Sequence, residues 1–266
     1  MTRQSSVGVR AVAPPRTLLA RRPRARVTDE TTTTTIHLHP TAPLAERVLL
    51  PGDPGRALLL AQSLLEKPTM FNHNRGLWGY TGTTRDGLQM TIQSTGMGGP
   101  SAAIVVTELA ELGARQLVRV GTCGALDPAL ELGDLLLVAE AIPADGTSQA
   151  LGAGGALPAD PRVLDALTAA CGDRGARSGA VASVDLFYDT PDGALGRWVA
   201  MGALAVEMES ATLLALARRR GLQAGSLLLV SDLLIPRRVR IAPGALREGE
   251  RRLGAVAAAA LRALAG

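Results

Sequence analysis

Val206-Glu207-Met208-Glu209 sets two carboxylates one residue apart, where a short apolar run meets a helical pattern. In extended chain both acids point the same way and Met208 points the opposite way. In an open α/β sheet such a strand-to-helix handover is the ligand-binding edge. Two acids opening a helix also fit a plain interaction with its N-terminal dipole. Gly52-Asp53-Pro54-Gly55-Arg56 has the parts of an anion site: a glycine that lets backbone approach, the N–H donors of a helix start, and a guanidinium fork. A helix cap beside a solvated Arg is the alternative. Arg119 lies in an apolar strand, where an unpaired guanidinium is very costly. It needs an anionic partner, either a ligand or an internal acid, and Thr122 can add a hydroxyl donor to the same anion. Asp232, just past another apolar strand, is a general acid or an N-cap. Phe187-Tyr188 holds two of only six aromatic residues, beside Asp185 and Asp189, and offers a stacking face for a flat ligand or a piece of core. Gly96-Met97-Gly98-Gly99 lacks the G-x-G-x-x-G spacing of a dinucleotide site and has no acid about 20 residues on. A tight turn with close backbone approach explains it.

The elements that position these clusters can be read from periodicity. The first strand falls at 47–50, followed by Asp53 as N-cap and Pro54 opening an apolar helix over 57–65. Segments 78–83 and 88–94 form a hairpin around Asp86-Gly87. A helix runs from Ser101 to about Leu112, and buried strands follow at 116–120 and 134–139. Residues 143–158 read as loop, 161–170 as helix, 179–184 as strand and 226–230 as strand. The acids at 207 and 209 stand between a strand from Ala203 and a helix over 210–217. The chain closes with a helix from about Pro243, its Leu246, Leu253, Val256, Ala260 and Leu264 at helical spacing. Strands alternating with helices and no internal repeat argue one α/β domain. Four strand ends gather polar or glycine-rich residues, which is how a sheet edge builds a site.

Composition limits the function classes. Hydrophobic residues make up 47% of the chain, normal for a globular core, and no apolar run approaches the roughly 20 residues of a membrane span. The basic balance belongs to a tail: seven Arg and no acid fall within residues 1–26, and the other 21 basic residues face 24 acids. The body is mildly acidic, so nucleic acid is not the expected partner. Residues 1–35 read as a disordered Arg-rich extension and 36–266 as the folded domain. The extension has no long apolar segment of a secretory signal. An organelle transit segment and a start codon set too far upstream both fit its composition. Cys123 and Cys171 give neither metal spacing nor a disulfide framework, and both are expected as reduced thiols in the cytoplasm.

Eight motifs occurring in order carry a resemblance. They are Leu50-Pro51-Gly52-Asp53-Pro54-Gly55-Arg56, Asn74-Arg75-Gly76, Tyr80-Thr81-Gly82, Gly96-Met97-Gly98-Gly99-Pro100-Ser101, Arg119-Val120-Gly121-Thr122-Cys123-Gly124, Asp185-Leu186-Phe187-Tyr188, Val206-Glu207-Met208-Glu209 and Val230-Ser231-Asp232. Together they resemble the trimeric or hexameric nucleoside phosphorylase family over about residues 36–265. The resemblance implies a three-layer α/β/α fold with a central mixed, partly barrel-like sheet. It implies cleavage of a nucleoside by inorganic phosphate to free base and ribose 1-phosphate, with no cofactor and no metal.

By motif, Gly52, Arg56, Arg119 and Thr122 would hold phosphate, joined by Arg75 from a neighbouring subunit. Met208 would lie along the ribose and Glu209 would bind its 2′- and 3′-hydroxyls. His37, with His39 as the fallback, would reach the 5′-hydroxyl of a neighbouring site. Met97 and Phe187 would wall the base, with Glu207 and Ser231 beside it. Asp232 would protonate the departing purine at N7. The resemblance also implies a homo-oligomer, a trimer of dimers, with active sites shared between subunits. Asp189-Thr190-Pro191-Asp192 is too short for the uracil-reading insertion of uridine phosphorylases, and Ser231-Asp232 matches the purine branch. Purine enzymes carry an Arg downstream of this Asp, and Arg237, Arg238, Arg240 and Arg247 are all candidates.

Overall fold

The computed structural model describes residues 35–172, 176–188 and 190–265, so residues 1–34 of the expected extension lie outside the described residues. In chain order the elements are β1 (Arg47–Leu50), α1 (Pro54–Leu64), β2 (Leu65–Asn72), β3 (Gly79–Thr84), β4 (Gln89–Gln93), α2 (Gly99–Leu112), β5 (Gln116–Ala125) and β6 (Leu135–Ala144). They continue with α3 (Gly146–Ala150), β7 (Leu157–Pro158), α4 (Pro161–Cys171), β8 (Arg177–Val184), α5 (Ala194–Ala200), β9 (Ala203–Glu207), α6 (Ser210–Arg220), β10 (Gln223–Leu233), β11 (Val239–Arg240) and α7 (Pro243–Ala263).

The central strands are apolar on both faces, and alternate residues serve two cores. In β1, Val48 and Leu50 enter one core and Leu49 the other. In β10, Leu228 and Val230 join the first, Leu227 and Leu229 the second. That pattern belongs to a sheet covered on both sides. Helices α2 and α6 cover the first face, and α1, α4 and α7 cover the second. Fully burying one Leu side chain stabilises by roughly 1.5–3 kcal/mol, so the two aliphatic cores dominate stability without aromatic help. The expected three layers are present.

The sheet closes partly on itself. β5 pairs in parallel with β10, β10 antiparallel with β6, β6 in parallel with β8, β8 in parallel with β9, and β9 antiparallel with β5. From this ring β1, β4, β3 and β2 extend as an open wing. One edge of β5 therefore has two partners in succession. Gln116 to Arg119 pair with β1, and Gly124 and Ala125 pair with β9. Between them residues 120–123 face the space where β1 and β9 part. That opening is where the polar strand ends meet.

Three expectations change. Helix α1 ends at Leu64, and β2 starts at Leu65 with no loop between them. β2 was not among the expected strands, and its Pro68 is tolerated on this outer strand, at a bulge between Glu66 and Thr69. Residues 143–158 are not loop throughout: β6 runs on to Ala144, and α3 and β7 follow. Asp145 starts α3 by accepting the N–H of Ser148 at 2.8 Å, a cap too local for periodicity to reveal.

Candidate active site

Arg119 is the hub of the site. It is 5% exposed on β5, with Nε 2.9 Å from Glu207 Oε2 and Nη2 2.6 Å from Glu209 Oε2. The two acids converge on one guanidinium, Glu207 from the last residue of β9 and Glu209 from just beyond it. Burial alone would lower the Arg119 pKa, but Glu209 and Glu207 more than offset it and hold it above its ordinary value. Burial pushes the Glu209 carboxyl up; Arg119 opposes this and Glu207 adds to it. Burial likewise pushes the Cys123 thiol far up, with the Glu207 charge adding, so Cys123 is a neutral wall of the cavity.

The two acids have separate duties. Glu207 accepts from Arg119, from the Ser183 hydroxyl, and from the backbone N–H groups of Glu209 and Ser210 at 2.9–3.0 Å. Expected beside base and sugar, its carboxylate instead has its acceptor sites filled by protein and caps α6. Glu209 accepts the N–H of Gly98 at 2.5 Å and keeps its other oxygen on Arg119. Gly96 and Gly98 have φ of 74° and 84°, which turns that N–H toward the acid at the start of α2. The glycine-rich segment is therefore the tight turn expected of it. Met208, expected opposite the acids, lines the same cavity, because extended geometry stops at Glu207.

Gly52 and Arg56 come from the β1–α1 turn, where Asp53 accepts the N–H groups of Gly55 and Arg56 at 3.1 and 2.9 Å. A β-carbon at 52 would meet the Gly96 carbonyl at 3.1 Å and Arg119 Nη1 at 4.0 Å, so bare backbone borders the guanidinium. Arg56 is 8% exposed; its Nε bonds Glu250 at 2.8 Å and its Nη1 the Val120 carbonyl at 3.3 Å. Thr122 lines the same wall.

At the other end a bulge aims the acid. Val230 pairs with Cys123 and Asp232 with the next residue, Gly124, leaving Ser231 as the extra residue of β10. Asp232 is 4% exposed. Its Oδ2 accepts the Ser231 hydroxyl at 2.8 Å, and its Oδ1 lies 2.9 Å from Arg238 Nε and 3.3 Å from Arg240 Nε. Of the four downstream candidates, Arg238 and Arg240 are those that touch it. Arg238 also lies over the Phe187 ring, 4.6 Å from its centroid. Phe187 packs edge-on against Tyr188 at 4.9 Å and lines the cavity.

One cavity of about 600 Å³ joins Gly52, Arg56, Arg119, Thr122, Met97, Phe187, Met208, Glu209, Ser231 and Asp232, with Glu207 in its wall. That volume suits a small polar metabolite and a co-substrate. His37 and Arg75 are absent from the lining. They lie together elsewhere: the Asn74 amide donates to the His37 carbonyl at 2.8 Å, and the His37 ring bonds Glu108 at 2.7 Å. Arg75 is exposed with φ of 56°, a strained value for a side-chain-bearing residue.

The phosphorylase superfamily model matches residues 46–263. The chain belongs to this superfamily. It is 41% identical over 198 residues to a purine nucleoside phosphorylase DeoD-type from Alkaliphilus metalliredigens, covering 72% of this chain and 84% of the relative. It is 40% identical to a purine nucleoside phosphorylase DeoD-type from Geobacillus kaustophilus, over 72% of this chain and 83% of that one. A guanosine phosphorylase from Halorubrum lacusprofundi is 39% identical over 71% of this chain and 79% of its own length.

In this member of the phosphorylase superfamily, sequence reasoning missed Glu250, which holds the cavity residue Arg56, and Glu108, which holds His37 away from the cavity. Both had a readable signal. Glu250 stands four residues after Leu246 and three before Leu253, on the buried stripe of α7, where an acid calls for a cationic partner. Glu108 stands likewise beside Val105 and Leu109 on α2. Among the described residues no three His, Cys, Asp or Glu side chains gather as a metal site requires, and no helix is long and apolar enough to cross a membrane.

Proposed function

We propose that this chain is a purine nucleoside phosphorylase, cleaving the N-glycosidic bond of purine ribo- and deoxyribonucleosides with inorganic phosphate. The observation that carries the reading is the polarity of one cavity. Its β1–β5 wall carries two arginines, its middle the Glu209 carboxylate, and its far end Asp232 with an aromatic floor. The names of the relatives agree with it.

The reaction places positive charge on the ribose ring as the bond to the base breaks, as in glycoside hydrolysis. Phosphate held by Gly52, Arg56, Arg119 and Thr122 stabilises that charge and is the nucleophile. Glu209 accepts the 2′- and 3′-hydroxyls, and Met208 lies along the sugar. Met97 and Phe187 wall the base, and Asp232, fixed by Ser231, passes a proton to N7. Glu207 is a positioning residue for Arg119 and α6.

Both arginines of the β1–β5 wall already face carboxylates: Arg56 has Glu250, and Arg119 has Glu207 and Glu209. A phosphate dianion there needs a further cation, and Arg75 of a second copy supplies it. Ile36 beside His37 and Trp78 three residues after Arg75 are exposed apolar side chains that a self-contact would cover. We therefore read the protein as a homo-oligomer, a trimer of dimers, with His37 and Arg75 completing a neighbour's site. Residues 1–35 form an Arg-rich extension to a domain spanning 36–266. Phosphate is the co-substrate, no cofactor takes part, and the protein works in the cytoplasm.

Incubating purified protein with inosine, adenosine, methylthioadenosine and uridine, with and without phosphate, tests the reading. Phosphate-dependent release of purine base is expected. Cleavage without phosphate would make the protein a nucleosidase, and preference for uridine would remove Asp232 from base recognition.

A further inference from the structure

Arg56 enters the cavity with part of its fork already engaged. Its Nε donates to Glu250 Oε1 at 2.8 Å and its Nη1 to the carbonyl of Val120, one residue past Arg119, at 3.3 Å. Its Nη2 makes no hydrogen bond among the described residues. Arg56 lines the cavity and Glu250 does not, so the carboxylate holds the guanidinium from behind. The five N–H donors of a guanidinium form one rigid plane, and fixing Nε fixes where the Nη groups point.

Close packing brings the carboxylate there. Glu250 is 8% exposed on α7. Beside it Gly249 lies against β10, where a β-carbon would meet Leu229 Cδ2 at 2.7 Å, and one turn on Gly254 lies against Leu60 of α1. Glycine inside a helix is destabilising relative to alanine, so this pair marks an approach that side chains would block. A buried ion pair is itself a weak source of stability, since apolar residues of the same volume do as well or better. The pair is explained by what Arg56 does at the cavity wall: a functional side chain is held on target by packing and hydrogen bonds from a rigid element behind it.

We propose that Glu250 is a positioning residue for the phosphate site, acting through Arg56 without touching substrate, a deepening that rests on the phosphorylase reading. Two effects of its carboxylate oppose each other. As an anchor it strengthens phosphate binding, because a charge-assisted hydrogen bond needs a short, aligned contact. As a negative charge near the anion it weakens binding. The anchor dominates, so removing Glu250 costs phosphate affinity although the wall becomes more positive.

The test measures kcat/KM for phosphate, with the purine nucleoside turned over fastest held saturating, in Glu250→Ala, Glu250→Gln and Glu250→Asp, each with and without Arg56→Ala. Glu250→Ala should lower kcat/KM for phosphate about tenfold or more, the worth of one charge-assisted hydrogen bond. The KM for the nucleoside should stay within about twofold, its contacts being made by other residues. Glu250→Gln, whose amide oxygen still accepts from Nε, should recover most of the loss. In the Arg56→Ala background Glu250→Ala should add less than about twofold, since a residue acting through Arg56 has nothing left to act on. An unchanged or raised kcat/KM for phosphate in Glu250→Ala overturns the proposal, the raised value meaning that the carboxylate only repels the anion. So does an equal effect with and without Arg56. If Glu250→Ala does not fold, Glu250→Asp, one methylene short of Nε, carries the same test with the same overturning results. No phosphate-dependent cleavage by the wild type would instead overturn the reading beneath it.

Discussion

Arg119 folds back over Gly121: a β-carbon at 121 would lie 2.6 Å from Arg119 Nη2 and 2.7 Å from its Cζ. Residues 119 and 121 face the same side of β5, and only the missing side chain of the second lets the first lie along the strand. Gly121→Ala should push the fork away from Glu207 and Glu209. Displacing one partner of a buried pair destabilises by up to about 3–5 kcal/mol, so thermal stability should fall. The KM for phosphate should rise at least about tenfold, the worth of one charge-assisted hydrogen bond. A variant that melts earlier with an unchanged KM for phosphate would take Arg119 out of phosphate binding.

Glu209 gives the acid side of the pH profile. It must be ionised to accept two sugar hydroxyls, and burial holds its pKa above the ordinary Glu value of about 4.3. Nucleoside binding is therefore present above the folded pKa and lost as pH falls through it, starting at higher pH than for an ordinary Glu. Stability has the opposite sign: the folded protein holds this proton more tightly than the unfolded chain. The contribution is complete below the unfolded pKa and is given up as pH rises through the folded one. The KM for a ribonucleoside should rise on the acid side, and that limb should vanish for a 2′,3′-dideoxynucleoside. Glu209→Ala should cut kcat/KM for ribonucleosides roughly 10–100-fold, while the KM for phosphate changes far less. A dideoxynucleoside that keeps the same acid limb would assign it to another group.

Most strands and helices were legible because the sheet is covered on both faces, so each central strand is a plain apolar run ended by glycine or polar residues. The cavity residues were legible for the converse reason. Arg119 is charged where the pattern demands Leu or Val, an exception that needs partners, and Asp232 is an acid just past the end of an apolar strand. What stayed hidden was pairing at long range. Nothing near Arg56 in sequence points to Glu250, 194 residues away. Nothing local tells that Glu207 caps its own helix while Glu209 faces the cavity, since that split depends on Ser183 and Gly98 arriving from other strands and turns. The Ser231 bulge is equally invisible, because it exists only in the register with β5.

Asp232→Asn tests the acid without disturbing shape. The amide keeps the Ser231 contact but cannot pass on a proton, and it leaves Arg238 and Arg240 without their counter-charge. General acid catalysis is worth about 10²–10⁴-fold, so kcat for inosine should fall by at least ~100-fold. The phosphate groups are at the other end of the cavity, and the KM for phosphate should stay within about twofold, no charge-assisted contact to it being lost. Full turnover by Asp232→Asn would end its role as proton donor.

Glu108 ties His37 to the body, and the tie has a pH signature of its own. Burial alone would push the Glu108 carboxyl up, but the Leu38 N–H, the His37 ring and the N–H groups of His37 and Ile36 hold it below its ordinary value. A depressed carboxyl stabilises above the unfolded pKa of about 4.3 and loses that contribution as pH falls through the folded one. Protease cleavage near residues 35–39 should therefore increase on acidification below about pH 4. Glu108→Gln should show the same increase at neutral pH. Equal cleavage at both pH values would mean that Glu108 does not anchor this segment.

Site sharing can be tested by mixing two inactive proteins. Asp232→Asn disables the cavity in its own subunit, whereas Arg75→Ala should disable the cavity of the neighbour. In a mixed dimer the Arg75→Ala subunit keeps its own Asp232 and receives an intact Arg75 from its partner, so one of the two sites is whole. Random pairing of equal amounts should recover about a quarter of wild-type activity, because half the dimers are mixed and each has one good site. Coexpression, or refolding the two variants together, gives the mixed species; the separately refolded proteins are the control. If Arg75 served its own cavity, the Arg75→Ala subunit would carry its defect into every dimer and mixing would recover nothing. If Arg75 served no cavity, the Arg75→Ala protein alone would already turn over nucleoside.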